Sequence, residues 1–134
     1  KKINPELLMV LLKQGFLPVV SPIGLGKDGA TYNINADTTA SRIAVSLDAY
    51  KIIFMTDVDG VLEKGKLCAQ LTSSEVEKMI DKKVITGGMA PKVDAGLYCV
   101  KNGVESAQII NGTEPHSVIA ELFTDQGIGT KIVL

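Results

Sequence analysis

The sequence is poor in the residue types on which several common kinds of site depend. Its 134 residues contain no tryptophan, one histidine and two cysteines. His116 stands alone, so no histidine-based metal cluster is expected, and its place beside Pro115 at a predicted helix start favours a structural role. Cys68 and Cys99 lie far apart with no histidine at ligand spacing, so we interpret them as reduced thiols of a cytoplasmic protein.

Long apolar runs and an excess of one charge are absent as well. No apolar run approaches the roughly 18 residues that a membrane-spanning helix needs. The 14 basic and 15 acidic residues leave a net charge of −1, which offers nucleic acid no basic surface. We therefore expect neither a membrane nor a nucleic acid as partner. Any phosphate binding must depend on a few lysines and backbone amides.

The order of apolar segments predicts a single α/β domain over residues 1–134. Strands and helices alternate, which is typical of a mostly parallel sheet sandwiched between helices. Helices are predicted from Pro5 to Gly15, from Thr38 to Leu47 with Asp37 as the cap, and over 89–101 and 115–123. A further helix N-terminus is predicted at residues 72–75, before an apolar stripe of Val76, Met79 and Ile80. Strands are predicted over 16–20, 51–56, 84–85, 107–110 and 132–134, with a loop over 21–30 and a hairpin over 63–67.

The strand over 51–56 ends in Asp57, Asp59 and Gly60. Open α/β sheets keep their ligand sites at this carboxyl edge. One interpretation is a haloacid-dehalogenase-like phosphatase, in which Asp57 is the nucleophile and Asp59 the acid and base. That mechanism also needs a second acidic pair for magnesium, and the downstream acids are isolated: Asp81, Asp94 and Asp125. The other interpretation is a nucleotide-binding loop.

Two further segments have a functional and a structural interpretation. Gly87 and Gly88 lead into a helix N-terminus, whose free N–H groups and dipole favour anions, and Lys92 adds a positive charge there. The alternative is a glycine turn with a solvated lysine. Asn33, Asn35 and Asp37 fall on one side if the segment is extended, where two amides and a carboxylate could bind a polar substrate or orient a lysine. A turn and a helix cap would explain them equally well.

Five segments in this order resemble the amino-acid-kinase family, and within it the acetylglutamate kinase branch. They are residues 18–24, 32–37, 56–62, 87–93 and 115–130. The resemblance implies ATP-dependent phosphorylation of the side-chain carboxylate of N-acetyl-L-glutamate in arginine biosynthesis, with Mg²⁺ carried by the ATP. Residues 1 to about 40 would end the substrate-binding part, and the remainder would form the ATP-binding part.

The resemblance also assigns roles to single residues. Asn33 would hold the acylated amino acid, Asp37 would orient catalytic lysines, and Lys92 would neutralise charge on the transferring phosphoryl group. An arginine effector site would include His116 and Gly129. The nucleotide pocket would be formed by Thr56, Asp57, Val58, Asp59, Gly60, Val61, Leu62, Val84, Ile85, Thr86 and Met89.

The family's opening strand, its lysine-bearing glycine turn and its substrate-binding arginine have no counterpart in this sequence, whose one arginine is Arg42. We therefore expect a fragment that is inactive or nearly so by itself but still binds adenine nucleotide. The full-length protein is expected to be a homo-oligomer. The alternative is a non-catalytic module that binds nucleotide or arginine for regulation.

Overall fold

A computed structural model describes residues 3–124 and 127–134. Helices and strands alternate along most of this length, as the apolar pattern predicts. The helices are α1 (Glu6–Lys13), α2 (Ala36–Ser46), α3 (Ser73–Asp81), α4 (Met89–Lys101) and α5 (Ser117–Phe123). The strands are β1 (Ile23–Leu25), β2 (Thr31–Asn33), β3 (Lys51–Thr56), β4 (Leu62–Glu63), β5 (Lys66–Leu67), β6 (Gln70–Thr72), β7 (Ser106–Asn111) and β8 (Thr130–Val133).

The largest sheet has the strand order β3-β7-β8-β6. Strand β3 runs parallel to β7, and β6 runs parallel to β8, whereas β7 and β8 are antiparallel. The central strand β7 is buried from Ser106 to Ile110 because it has a neighbour on each side and helices over both faces. The predicted mostly parallel α/β sheet is confirmed.

The two faces of the sheet are covered by different helices. Helix α4 packs so closely on one face that a Cβ at Gly96 would lie 3.1 Å from the Ala107 Cβ and 3.2 Å from Ile132 Cδ1. Helices α2 and α3 lie beside α4. Side chains alternate between the faces of a strand, so Gln108 points the other way, where it contacts Glu121 of α5.

Local sequence signals fix several helix ends. Thr72 and Glu75 form a capping box, with each side chain accepting a hydrogen bond from the other's backbone N–H, which confirms the predicted start of α3. Helix α4 has the predicted bounds. The predicted cap of α2 is wrong, because Asn35 caps this helix by accepting a bond from the Thr38 amide at 2.9 Å. Asp37 therefore lies inside the first turn and keeps its carboxylate for another contact.

Three predictions for the loops and strands are wrong. Residues 16–20 form no strand, and Leu17 and Val19 are 87% and 93% exposed. An apolar run becomes a buried strand only beside another strand, and none of the described strands pairs with this one. Residues 21–30 contain β1, which forms an antiparallel hairpin with β2. Residues 84–85 are irregular because their amides bond back to the carbonyl of Met79 at the end of α3.

The segment before α2 stands apart from the sheet. Helix α1 has no buried residue among those described, Leu7 and Val10 are among its exposed apolar side chains, and Phe16 after it is exposed as well.

Cys99 is buried within α4, and burial raises the pKa of its thiol to about 11, which keeps it protonated and unreactive. No helix among the described residues is long and apolar enough to cross a membrane.

Candidate functional site

The carboxyl ends of β3 and β7 lie side by side. Thr56 is paired with Asn111 at the end of the parallel ladder, and the Gly112 amide donates to the Thr56 carbonyl at 2.7 Å. The segments that follow the two strands therefore leave the same edge of the sheet. One begins at Asp57 and the other at Gly112, and we refer to this edge as the carboxyl edge.

The N-termini of α2 and α4 lie at the carboxyl edge too. Each helix is joined by a short turn to the start of a strand, α2 to β3 and α4 to β7. At about 1.5 Å per residue, α4 is about 20 Å long, which matches six strand residues at about 3.3 Å each. A helix of this length that packs back along its strand returns to the strand's far end. The connection thus places both helix starts where the strands finish.

A lysine and an aspartate join the starts of these two helices. The Lys92 ammonium lies 3.1 Å from each carboxylate oxygen of Asp37. Both side chains are about four-fifths buried, with 20% and 19% exposed. Further along, Cys99 contacts the carbonyl of Ser41, so the two helices run in the same direction. The structure therefore brings together the two residues that the resemblance names as catalytic.

The start of α4 offers backbone donors to a ligand. Its N-cap is Gly88, which has no side chain to cap the first amides. A Cβ at Gly87 or Gly88 would meet no heavy atom within 4 Å, so this end of the helix faces open space. Uncapped N–H groups and the helix dipole favour an anion. Lys92, one turn further on, carries a positive charge to the same end.

The loop after β3 is held at two points. The Asp59 carboxylate accepts a hydrogen bond from the Asn111 side chain at 2.9 Å, and the Val61 amide donates to Thr130 Oγ1 at 2.8 Å. Between them, Gly60 has a φ of +146°, and a Cβ there would lie 2.6 Å from Thr130 Oγ1. Only glycine fits this turn. We call residues 57–62 the edge loop.

The structure separates the predicted nucleotide-pocket residues by burial. Gly60, Val61 and Ile85 are buried, the last two being 2% and 6% exposed, so only their backbones can reach a ligand. Met89 is packed against the same core. The remaining residues are at least partly exposed at or near the carboxyl edge: Thr56, Asp57, Val58, Asp59, Leu62, Val84 and Thr86.

Asn33 lies at the end of β2 and is exposed. No hydrogen bond of its side chain to another described residue is present, so its amide is free to bind a ligand. Asp37 is four positions further along the chain, which limits their distance to about 14 Å even in a fully extended chain. Asn33 is therefore close enough to hold a substrate whose reacting group lies near Lys92.

Sequence reasoning missed Asn111, Thr113 and Thr130. Asn111 accepts bonds from the Thr113 amide at 2.9 Å and from its hydroxyl at 2.7 Å. A signal was present, because Asn111 to Thr113 follow a buried strand just as the edge loop does. Polar residues after two neighbouring parallel strands meet at one edge. Thr130 carried no such signal, since its role depends on β8 lying beside β7.

A second concave site lies between α5 and the sheet. It is an open pocket of about 820 Å³ that runs from Asp59 and Asn111 to Lys51. Gly129 lines it, whereas His116 lies exposed at the N-cap of α5, with a φ of +62°. Residues on either side of His116 do line the pocket. The two predicted effector residues are thus at or next to one pocket.

A buried polar network forms the floor of this pocket. The Glu121 carboxylate accepts bonds from Lys51 Nζ at 2.7 Å, Gln108 Nε2 at 2.8 Å and the Ile128 amide at 3.1 Å. Gln108 Nε2 also donates to the Ile128 carbonyl at 2.7 Å. The Gln108 Oε1 atom is buried and has no partner among the described residues. A buried acceptor left unpaired is costly.

No group of three or more His, Cys, Asp or Glu side chains that could hold a metal ion occurs in residues 3–124 and 127–134. The anion-attracting features are instead the start of α4 and Lys92. Together with the sheet, they define the chain as an α/β protein whose candidate ligand site is the carboxyl edge. The chain belongs to the amino acid kinase family, whose model matches residues 1–111.

The chain is similar to proteins whose activity is named. An acetylglutamate kinase of Halothermothrix orenii is 51% identical over 138 residues, covering 99% of this chain and 47% of the relative. One of Archaeoglobus fulgidus is 51% identical over 134 residues, covering 97% and 46%. The structure of N-acetylglutamate synthase from Neisseria gonorrhoeae, complexed with coenzyme A and L-arginine, superposes with a TM-score of 0.92 at 29% identity, covering 99% of this chain and 31% of that one. The chain spans about half the length of the curated relatives it matches.

Proposed function

We propose that this chain is the nucleotide-binding part of an acetylglutamate kinase, which transfers a phosphoryl group from ATP to the side-chain carboxylate of N-acetyl-L-glutamate. The proposal is carried by the contact between Lys92 and Asp37 at the uncapped start of α4. That contact lies at the carboxyl edge, beside the edge loop. The identity of about half of all residues to named acetylglutamate kinases supports the choice of substrate.

The geometry gives each group a task. Phosphoryl transfer requires reactants in line and positive charge placed next to the negatively charged phosphoryl oxygens. The N–H groups at the start of α4 and the Lys92 ammonium supply that charge, and Asp37 fixes the ammonium by a contact to both carboxylate oxygens. The edge loop seats the nucleotide with its backbone, and Asn33 holds the acylated amino acid. Mg²⁺ would arrive with the ATP and would supply further positive charge next to its phosphates.

We expect the chain to bind MgADP with a measurable affinity but to show no turnover by itself. The chain spans about half the length of the acetylglutamate kinases that it matches, and the family resemblance assigns to the other half a second lysine that neutralises charge in the transition state. Isothermal titration calorimetry with MgADP measures the binding, and a coupled ADP-release assay with N-acetyl-L-glutamate measures the turnover. Lys92→Met should weaken binding several-fold.

Lys101→Met is the matched control for this titration. Lys101 lies on the same helix, is half exposed and pairs with Glu77 far from the start of α4. Its loss should leave the affinity for MgADP within about twofold of the unchanged chain, because an exposed ion pair contributes little. Equal losses in the two variants, or no binding by the unchanged chain, would contradict the proposal.

A second candidate function is binding of an arginine effector at the pocket beside α5. The pocket offers the Glu121 carboxylate, which it shares with Lys51, to a guanidinium, and Lys131 to a carboxylate. The gonococcal structure with L-arginine, similar over 99% of this chain, supports the proposal. L-Arginine should raise the melting temperature, whereas L-citrulline, its neutral isostere, should not. Equal shifts with both amino acids would exclude this site.

A further inference from the structure

Asn111 is held in one orientation by its own neighbours. Its Oδ1 atom accepts from both the amide and the hydroxyl of Thr113. The two donors identify the oxygen end of this side chain, so the Nδ2 end must point at Asp59, which lies 2.9 Å away. The end of β7 thereby presents a fixed donor to the loop that follows β3, across 52 residues of chain.

The contact is placed where it can control the edge loop. Val61 is fixed by its buried bond to Thr130 Oγ1, and Gly60 makes the turn. The amides of Asp57 to Asp59 lie between β3 and this turn, and their direction depends on where the Asp59 side chain is held. We propose that Asn111 is a positioning residue that holds the edge loop in its nucleotide-binding conformation. The inference rests on the proposed function, because it assigns the edge loop to the nucleotide.

The chemistry of the pair makes a specific demand. Position 111 must donate to position 59 while accepting from Thr113. An aspartate at 111 still accepts from Thr113 but turns a bare carboxylate oxygen toward the Asp59 carboxylate. Two carboxylates at hydrogen-bond distance repel each other. The repulsion raises the pKa of the pair, so that one of the two carboxyl groups binds a proton more readily than an isolated one does. An Asn at 59 facing an Asp at 111 restores a hydrogen bond with donor and acceptor exchanged.

The test compares Asn111→Asp, Asp59→Asn and the double variant in the complete protein, by steady-state kinetics with MgATP. Asn111→Asp should raise the KM for ATP about tenfold at pH 7.5 while kcat changes less than threefold. The KM should fall back toward that of the unchanged protein at pH 5.5, because protonation of one carboxyl restores the bond. The neighbouring carboxylates Asp57 and Glu114 are present in every variant, so they cancel from the comparison.

The double variant provides the decisive result. Its KM should lie within about twofold of that of Asp59→Asn alone and below that of Asn111→Asp alone. Asp59→Asn would then rescue the effect of Asn111→Asp. The inference would be overturned if the KM of the double variant showed the increases of both single variants combined. It would also be overturned if the KM of Asn111→Asp did not change with pH. If Asn111→Asp does not fold, Asn111→Ala, which adds no charge, should raise the KM several-fold, and an unchanged KM would overturn the inference equally. Absence of MgATP use by the unchanged protein would overturn the proposed function and the inference together.

Discussion

Replacement of Lys92 by methionine is expected to lower kcat for phosphoryl transfer by about 100- to 1,000-fold in the complete protein. The side chain keeps nearly the same length and apolar stem but loses the charge that Asp37 holds at 3.1 Å. Removal of one preorganised group that stabilises transition-state charge commonly costs about 3–4 kcal/mol. The KM for N-acetyl-L-glutamate should change far less, because the proposed function gives the ammonium to the phosphoryl group and the amino acid to Asn33.

The measurement is steady-state kinetics at saturating MgATP, with Lys101→Met as the control. Lys101 belongs to the same helix and makes an exposed ion pair with Glu77. Its substitution should leave kcat within about twofold. A Lys92→Met enzyme with more than one-tenth of the original kcat would show that Lys92 is not the group that stabilises the phosphoryl charge.

Gly129→Ala is expected to destabilise the fold by about 3 kcal/mol or more, a large fraction of the total for a domain. Gly129 has a φ of +78°, and a Cβ would lie 2.1 Å from the carbonyl oxygen of Ile109. That oxygen belongs to the buried central strand β7, which cannot move aside. The expected observation is a lower midpoint of urea unfolding or no folded protein at all.

Gly65→Ala provides the matched control for this substitution. Gly65 has nearly the same φ, +77°, but its Cβ would meet nothing within 4 Å. Gly65→Ala should therefore lower the free energy of unfolding only by the backbone strain, about 1–2 kcal/mol. Equal losses at the two positions would mean that the close approach to Ile109 is not what requires glycine at 129. The proposal that an arginine effector binds in the pocket lined by Gly129 does not depend on this test.

Strong local patterns allowed most of the central sheet and its helices to be predicted. The bounds of β3 and α4 follow from an apolar run that ends in acids and from two glycines before a periodic helix. The capping box at Thr72 is a short-range signal, which sequence shows directly. These elements need no knowledge of their neighbours, because their own residues fix where they begin and end.

Elements that depend on a partner were predicted poorly. Residues 16–20 have the composition of a strand, but no described strand lies beside them, and they stay exposed. Strand β6 was missed because Gln70 to Thr72 look like a loop until β8 pairs with them. Asp37 was taken for a cap since a carboxylate at a helix start is a common cap. Asn35, two residues earlier, has the extended backbone that a cap requires.

The same difference between local and partner-dependent signals applies to the candidate site. Lys92 and Asp37 could be named from motifs, but their contact across 55 residues of chain is known only from the structure. Asn111 and Thr130 were missed because their function is to bond to the edge loop from other strands. The pocket beside α5 was suggested by His116 and Gly129, whereas its polar floor of Lys51, Gln108 and Glu121 carries no local motif.

The most direct test of the account is to trap the product that it requires. The complete protein is incubated with MgATP, N-acetyl-L-glutamate and hydroxylamine, which converts an acyl phosphate to a hydroxamate and releases phosphate. We expect one hydroxamate for each ADP, and almost none from Lys92→Met. Phosphate release without hydroxamate, abolished by Asp57→Asn, would contradict the account and would identify Asp57 as a phosphatase nucleophile.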